Sequence, residues 1–333
     1  MSRDLPKIAV IGTGGSISTL ARNSLDLYEY ADHGEKLEVD HLLDRFPELA
    51  SVADLWPVRF RSIGSSSITP ADWVALAQRI DELDQPGLNG IVVTHGTASL
   101  EETAYFLHLA TSVSIPIVMV AAQRPPNGLS SDAGANLLNA IRVASSPAVR
   151  GLGTLVVLNN EVFCAREVSK TSNWLLHTFR APDFGCLGYA DPDGCVSIYR
   201  RPERRHSINT EFRSELLGVL PRVDIVYSYA GADGVLIDAA VAAGAKAIVL
   251  AGNAPGRPTA LQRGALLNAA QQGVFVVLSS RSGSGRVISR ISDKEPGFIA
   301  ADNLNPQKAR VLTMLALTIT KDRSEIQRIF AEY

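Results

Sequence analysis

Two stretches of the chain decide the fold, Lys7-Ile8-Ala9-Val10-Ile11-Gly12-Thr13-Gly14-Gly15-Ser16-Ile17 and Gly90-Ile91-Val92-Val93-Thr94-His95-Gly96-Thr97-Ala98-Ser99-Leu100-Glu101-Glu102-Thr103. Each begins as a continuous apolar run, which is typical of a strand covered by helices on both faces of a parallel sheet. Each run ends in a tight turn that leaves a hydroxyl beside several backbone N–H groups. Acyl transfer requires an alcohol nucleophile and preorganised donors that face the developing oxyanion. The two turns therefore indicate an enzyme.

Strand-like runs and helical periodicity alternate along the rest of the chain, as in an α/β protein. The predicted strands are Lys7–Gly12, Val58–Gly64, Gly90–Thr94, Ile115–Ala121, Leu152–Asn159, Val223–Tyr229, Ala245–Ala251 and Gly273–Ser280. The predicted helices are Thr69–Leu83, Leu100–Thr111, Ser131–Val143, Gly234–Ala243, Thr259–Gln272, Asn305–Thr320 and Arg323–Glu332. A long polar loop is predicted over Ser18–Lys36.

The chain is long enough for two domains. Its 333 residues exceed what one hydrophobic core usually organises. Between the two α/β halves, Asp191-Pro192-Asp193-Gly194 predicts a hairpin turn. The basic run Arg200-Arg201-Pro202-Glu203-Arg204-Arg205-His206 follows it and predicts an exposed linker. We expect two α/β domains joined near residues 200–215.

Composition argues against several classes of function. The formal net charge of −2 gives no reason to expect nucleic acid or a membrane surface as a partner. No apolar stretch approaches the ~20 residues of a membrane span. Cys164, Cys186 and Cys195 are odd in number and lack CxxC spacing, so neither disulfides nor a metal site is expected. Because the N-terminus lacks the apolar region of a signal peptide, the sequence favours a cytoplasmic location.

The first turn also argues against a nucleotide site. It follows a strand, as a dinucleotide fingerprint does, but Ile17 stands where the third glycine is required. The Ser18–Lys36 loop replaces the helix whose N-terminus would face a pyrophosphate. Nucleotide binding is therefore not expected.

Ordered short motifs run along nearly the whole chain. They are Thr13-Gly14-Gly15-Ser16-Ile17; Thr94-His95-Gly96-Thr97 with Glu101-Glu102-Thr103-Ala104-Tyr105-Phe106-Leu107; Arg124-Pro125; Ser131-Asp132 with Asn136-Leu137; Arg166-Glu167-Val168 with Lys170-Thr171; Phe184-Gly185 with Leu187-Gly188-Tyr189; Val226-Tyr227 with Tyr229-Ala230; Ser279-Ser280-Arg281; and Asn305-Pro306-Gln307-Lys308-Ala309-Arg310. In these motifs the chain resembles the bacterial L-asparaginase/glutaminase family.

The resemblance implies an architecture and a reaction. It implies a larger N-terminal parallel-sheet domain over residues 1–200, a linker over 201–218 and a smaller flavodoxin-like α/β domain over 219–333. It implies a homotetramer built from intimate dimers, with active sites at the dimer interface and no cofactor. The implied reaction is a two-step hydrolysis of a small-molecule carboxamide, in which a hydroxyl attacks, ammonia leaves and water cleaves the acyl-enzyme.

The resemblance also assigns roles to residues. Ser16 occupies the first nucleophile position, where threonine is usual, and Thr97 and Lys170 occupy the other two catalytic positions. Thr13 and Ser65 fall at substrate-binding positions. A loop tyrosine assists the first nucleophile in relatives, and either Tyr30 or Tyr28 fills that place here. We interpret His95 as a structural residue rather than a general base.

Four positions depart from the family pattern around the amino-acid head group. Ala98 replaces an aspartate that receives the substrate's α-ammonium, and Ser66 replaces a glutamine. Arg257 and Arg290 stand where relatives supply Asn and Glu, the second on a less secure alignment, and both could equally be surface charges. A pocket that loses carboxylates and gains guanidinium groups disfavours a cationic head. This pattern predicts a carboxamide that lacks the free α-amine, or that carries an additional carboxylate or acyl group.

Three functions remain in competition at this point. The leading hypothesis is an asparaginase-like amidohydrolase with altered head-group specificity. The second is an ordinary L-asparaginase or glutaminase that binds the ammonium through another group. The third is a non-catalytic binding protein that kept the fold, against which the joint retention of the site's hydroxyls and Lys170 argues.

Overall fold

The computed structural model describes residues 5–294 and 296–333 and divides into two compact units. The first unit ends at Glu215, and the second runs Leu216–Tyr333. Within the described residues, every helix is too short or too polar to cross a membrane. Both units alternate strands and helices, so the predicted α/β class is confirmed.

The first unit is built on an eight-stranded sheet accompanied by two small sheets. Its strands are β1 (Lys7–Gly12), β2 (Thr19–Leu20), β3 (Glu35–Lys36), β4 (Asp54–Arg59), β5 (Gly90–Thr94), β6 (Ile117–Val120), β7 (Thr154–Leu158), β8 (Glu161–Cys164), β9 (Ser169–Lys170), β10 (Phe179–Arg180), β11 (Gly188–Ala190) and β12 (Val196–Ile198). The large sheet has the order β12-β11-β8-β7-β6-β5-β1-β4.

This large sheet is mixed, which corrects the expectation of a parallel sheet. From β4 to β7 the neighbouring strands pair in parallel, whereas β7, β8, β11 and β12 pair antiparallel. The reversal follows from the two-residue turn Asn159–Asn160, in which both residues have positive φ. Such a turn closes a hairpin, so β8 must run back along β7.

The helices of this unit alternate with its strands along the chain. They are α1 (Tyr30–His33), α2 (Val39–Asp44), α3 (Pro70–Leu83), α4 (Leu100–Ala110) and α5 (Ala133–Ser145), with 3-10 turns at Ser16–Ser18, Pro47–Ser51, Ser65–Ser67, Pro147–Val149 and Ser207–Asn209. Thr69 and Asp72 form a capping box that starts α3. Leu137 and Ile141 of α5 pack in one core with strand residues such as Val92.

Two local predictions in this unit were wrong. The predicted strand Val58–Gly64 is β4, shifted to Asp54–Arg59. Because β4 is an edge strand, it tolerates Pro57 and charged residues, which hid its start from a search for apolar runs. The predicted loop Ser18–Lys36, called the lid below, contains α1 and the paired strands β2 and β3. Elements this short carry no periodicity that a sequence could reveal.

The segment before the domain boundary differs from the expected exposed linker. The predicted hairpin is confirmed as β11–β12. Beyond it, His206, Thr210, Phe212 and Ser214 are buried in the first unit. The Thr210 hydroxyl donates to the Leu109 carbonyl at 2.7 Å. Spaced polar and aromatic side chains thus fix the segment to the unit, despite the charges between them.

The second unit is a four-stranded parallel sheet with the sequential order β13-β14-β15-β16. Its elements are β13 (Val223–Tyr227), α6 (Val235–Ala242), β14 (Ala247–Gly252), α7 (Ala260–Gln271), β15 (Phe275–Ser280), α8 (Ile291–Lys294), β16 (Ile299–Ala300), α9 (Pro306–Ile319) and α10 (Arg323–Glu332). A flavodoxin order places the first strand between the second and third, so that detail of the expectation was wrong. In this sheet each strand pairs with the next strand along the chain, so the strand order never reverses.

Candidate active site

The two glycine turns meet at the carboxyl ends of β1 and β5. These strands are in register, with Gly12 opposite Thr94, so the turns that follow leave the sheet side by side. Gly15 has a φ of 90°, and a Cβ on it would lie 2.3 Å from the Gly96 Cα. Only glycine allows this backbone conformation and this approach. The contact brings together the backbones next to Ser16 and Thr97.

Thr13 and Ser65 fix the backbone around this contact. The Thr13 hydroxyl donates to the Thr94 carbonyl at 2.8 Å. The Ser65 Oγ accepts the Ala98 N–H at 3.1 Å, and the Ser65 carbonyl accepts from the Ser99 hydroxyl at 2.6 Å. Both predicted substrate-binding residues therefore lie in the site, and both are buried.

Thr97 and Lys170 form the closest polar pair of the site. The Lys170 Nζ lies 2.7 Å from the Thr97 Oγ1. Thr97 is buried, and Lys170 is half-buried on the short strand β9. Burial lowers the pKa of the Lys170 ammonium, because removal from water disfavours its charged form. Among residues 5–294 and 296–333, Lys170 forms no ion pair with a carboxylate. Its position and its lowered pKa allow the Lys170 amine to exchange a proton with the Thr97 hydroxyl.

The structure separates the two candidate tyrosines. Tyr30 is 5% exposed, and its hydroxyl faces the Ser16 side chain and lies 3.5 Å from the Gln123 carbonyl oxygen. Burial raises the pKa of Tyr30, and the nearby Ser16 hydroxyl offsets only part of that rise, so the phenol is neutral at neutral pH. Tyr28 is 71% exposed and packs instead against the Trp174 ring. Of the two tyrosines, Tyr30 is the one that lies beside Ser16.

His95 supports the second turn and does not face the reacting groups. Its Nδ1 donates to the Gly96 carbonyl at 2.7 Å, so its Nε2 accepts from the Thr103 hydroxyl at 3.0 Å. Thr103 in turn accepts from the Trp73 indole N–H at 2.9 Å. Burial lowers the pKa of His95 to about 4. The imidazole is a neutral brace between the turn and helices α3 and α4, in agreement with the sequence-based interpretation.

The lid is held over this region by residues that the sequence reasoning missed. Both polar atoms of the Asn127 amide bind the backbone of Ala21, at 2.7 and 2.8 Å. The Leu129 N–H donates to the Ser24 carbonyl at 2.8 Å. The Asn127-Gly128 dipeptide is a turn signal, but nothing in the sequence indicates which backbone its side chain contacts.

Of the four positions that depart from the family pattern, two lie in the first unit and two in the second. Ala98 is exposed at the edge of the second turn, and Ser66 is exposed beside Ser65. Arg257 lies on a turn of the second unit, where its backbone forms a bridge with Asn253. Arg290 lies in the same unit and forms an ion pair with Asp293. The Arg290 guanidinium therefore already binds a carboxylate of its own unit, whereas the sequence suggested that it could bind an anionic group of the substrate.

In the part of the chain that the structure describes, no group of three or more His, Cys, Asp or Glu side chains could hold a metal ion. The chemistry available here comes from two hydroxyls, a phenol, an amine and backbone donors. Those are the components of acyl transfer.

Comparison with known proteins gives consistent matches along the chain. The family model "Asparaginase, N-terminal" matches residues 7–204, and "Glutaminase/Asparaginase C-terminal domain" matches residues 222–330. An L-asparaginase 2 from Bacillus subtilis is 41% identical over 99% of this chain and 88% of its own length. A glutaminase-asparaginase from Pseudomonas fluorescens is 37% identical over 99% of this chain and 91% of its own.

A probable periplasmic L-asparaginase from Haemophilus influenzae is 40% identical over 99% of this chain and 94% of its own. The crystal structure of a probable cytoplasmic L-asparaginase from Campylobacter jejuni superposes with a TM-score of 0.94 at 38% identity, covering 98% of this chain and all of that one.

Proposed function

Because the chain belongs to the asparaginase family of hydrolases that act on linear amide C–N bonds, we propose that it releases ammonia from a carboxamide through a Ser/Thr acyl-enzyme. The observation that carries this proposal is the convergence of Ser16–Tyr30 and Thr97–Lys170 on one pair of contacting glycine turns. A binding protein without activity has no need of an amine held 2.7 Å from a buried hydroxyl.

In the first proposed step, the Ser16 Oγ attacks the amide carbon and expels ammonia. The Ser16 proton passes to the Tyr30 oxygen, and the Tyr30 hydroxyl proton passes to the departing nitrogen. Tyr30 suits this relay because burial keeps it a neutral phenol, which can accept one proton while giving up another. The backbone N–H groups of the turns would stabilise the oxyanion.

In the second step, water attacks the Ser16 ester. Lys170 accepts the water proton, directly or through the Thr97 hydroxyl, and that proton returns to the Ser16 Oγ as the carboxylic acid leaves. A lysine can serve as this base when its pKa is lowered, as burial does here. The sum is amide plus water giving acid plus ammonia, with the enzyme restored.

We propose further that the preferred substrate lacks a free α-ammonium group. The support is Ala98, whose methyl group cannot pair with a cation. Lys170, without an ion-paired carboxylate in the described residues, indicates the same local loss of negative charge. A succinamate-like compound or an N-acylated asparagine fits these features. Arg290 is already paired with Asp293 and adds no support for an additional carboxylate.

One assay tests the substrate proposal. Ammonia release is measured with L-asparagine, L-glutamine, succinamate and N-acetyl-L-asparagine, and kcat/KM is compared. We expect a compound without the free α-amine to be preferred by at least about tenfold, since an ammonium that loses water without gaining a partner costs more than about 1.4 kcal/mol. Preference for L-asparagine by a wide margin would overturn the specificity proposal and leave an ordinary L-asparaginase.

A second experiment tests the acyl-enzyme. Acid-quenched turnover mixtures are examined by peptide mass spectrometry in the Thr97→Val and Ser16→Ala variants. We expect an acyl adduct on Ser16 to accumulate in Thr97→Val and no adduct in Ser16→Ala. An adduct on Thr97 would reverse the assigned roles of the two hydroxyls.

We also propose a homotetramer in the cytoplasm. Assembly is supported by the outward face of α6, where Val235 and Leu236 are 64% and 55% exposed. Apolar patches of this kind on a soluble protein usually mark an interface.

The cytoplasmic location is supported by the free thiols Cys164, Cys186 and Cys195.

A further inference from the structure

Gln123 lies in the loop that follows β6 and contacts both halves of the proposed catalytic machinery. Its backbone carbonyl lies 3.5 Å from the Tyr30 hydroxyl. Its side-chain amide donates to the carbonyls of Asn173 and Leu175, at 3.1 and 3.2 Å. Those carbonyls form the tip of the β9–β10 hairpin, in which Lys170 pairs with Phe179. One residue therefore contacts the phenol on the lid and the hairpin that carries the amine.

Gln123 itself is fixed to the body of the first unit. Its N–H donates to one carboxylate oxygen of Asp132 at 2.9 Å, and the Arg124 N–H donates to the other at 2.9 Å. The Asn136 side chain donates to the same carboxylate at 3.0 Å. This anchor joins the end of β6 to the start of α5, so Gln123 is a rigid reference point.

The two segments that Gln123 contacts have little internal support. The lid is closed at its base by two residue pairs between β2 and β3, and the hairpin by two pairs between β9 and β10. Ladders this short are not stable by themselves in water. Their tips must therefore be positioned by contacts with other parts of the unit.

A ring contact ties the same two segments together. Tyr28 of the lid and Trp174 of the hairpin tip lie with ring centroids 5.5 Å apart and planes inclined by 60°. Trp174 is 64% exposed, so this pair forms on the surface and not through burial in a core. The lid and the hairpin are thus linked twice: by the Tyr28–Trp174 ring contact on the surface, and by Gln123, which contacts both segments.

We propose that Gln123 is a positioning residue that fastens the lid to the Lys170 hairpin, so that Tyr30 and Lys170 reach their hydroxyl partners together. This inference rests on the roles proposed above for Tyr30 and Lys170. The binding residues Thr13 and Ser65 lie on other segments, so substrate binding does not depend on Gln123. Its loss should lower kcat and leave KM nearly unchanged.

The test uses Gln123→Met, which keeps the length of the side chain and removes its two donated hydrogen bonds. We expect kcat to fall about 10–100-fold, since a misplacement of about 1 Å can cost that much, with KM within about twofold. Gln85→Met is the matched control, because within residues 5–294 and 296–333 the Gln85 amide forms a hydrogen bond to the Glu82 carbonyl alone, at the exposed end of α3. If Gln123→Met does not fold, Gln123→Glu is used for the same measurement, because its carboxylate cannot donate to the two hairpin carbonyls.

A second measurement does not depend on turnover. Amide hydrogen exchange is followed in residues 18–36 and 171–178 of the full-length protein. In Gln123→Met we expect protection to fall in both segments, whereas Gln85→Met retains it. If protection falls in only one of the two segments, or if Gln123→Met keeps the wild-type kcat, the inference is overturned. If the wild type hydrolyses no amide, the proposed function fails, and the exchange result still decides whether Gln123 links lid and hairpin.

Discussion

At the scale of single residues, the proposed substrate preference depends most on Ala98. Its N–H is held by Ser65 and its methyl group is exposed beside Thr97. Ala98→Asp places a carboxylate there, and we expect kcat/KM for L-asparagine to rise about 10–100-fold, because a charge-assisted hydrogen bond contributes about 1.5–3 kcal/mol. Ala98→Asn, which has the same shape without the charge, should give no such gain. Equal gains in both variants would contradict the electrostatic explanation.

The proposed role of Lys170 as a base predicts how turnover depends on pH. In the proposed second step the amine must be neutral, and burial lowers its pKa, so activity should rise as pH increases through that lowered value. A new carboxylate at position 98 favours the ammonium, so Ala98→Asp should move this rise to higher pH. The measurement is kcat against pH for both proteins. A shift to lower pH, or none, would exclude Lys170 as the base.

At the scale of elements, the apolar strands were predictable from sequence and the lid was not. Strands β1 and β5 coincide with the predicted Val and Ile runs, because burial on both faces requires such runs. The edge strand β4 needs no such run and was misplaced. The sequence left Tyr28 and Tyr30 equivalent, since burial of one ring depends on contacts made by distant segments.

The brace between the second turn and its helices gives a stability prediction. The pKa of His95 is about 4 in the fold against 6.5 for a free imidazole, so its contribution is complete above pH 6.5 and is lost as pH falls toward 4. At about 1.4 kcal/mol per pKa unit, the free energy of unfolding should drop by about 3 kcal/mol over this range.

The matched variants separate the imidazole from its partner. His95→Asn should remove this pH dependence, measured by denaturant unfolding at pH 7 and pH 4. Thr103→Val deletes the hydroxyl bound to Nε2 but keeps the imidazole. It should lower stability by about 1–3 kcal/mol at pH 7 and retain the dependence on pH. If the free energy of unfolding of His95→Asn falls with pH as steeply as that of the wild type, groups other than His95 cause the acid sensitivity.

At the scale of the whole molecule, the second unit leaves one helix face without cover. On α6, Ile237 and Ala240 are buried, whereas Val235 and Leu236 are largely exposed, and Leu261 of α7 is 68% exposed. Sequence could identify α6 as apolar, but not which side the unit's own sheet would cover. A stable interface buries about 800 Å² on each partner, and a helix face of this kind would supply its apolar centre.

The prediction at this scale is that the wild type assembles through α6. A Val235→Lys/Leu236→Lys double variant should shift the mass in sedimentation toward the monomer, because burying two ammonium groups without partners costs several kcal/mol. Gln272→Lys, an exposed change after α7, is the control and should leave the assembly intact. If the double variant keeps the wild-type mass, the interface lies elsewhere. If it becomes monomeric and also loses ammonia release while remaining folded, assembly is required to complete the active site.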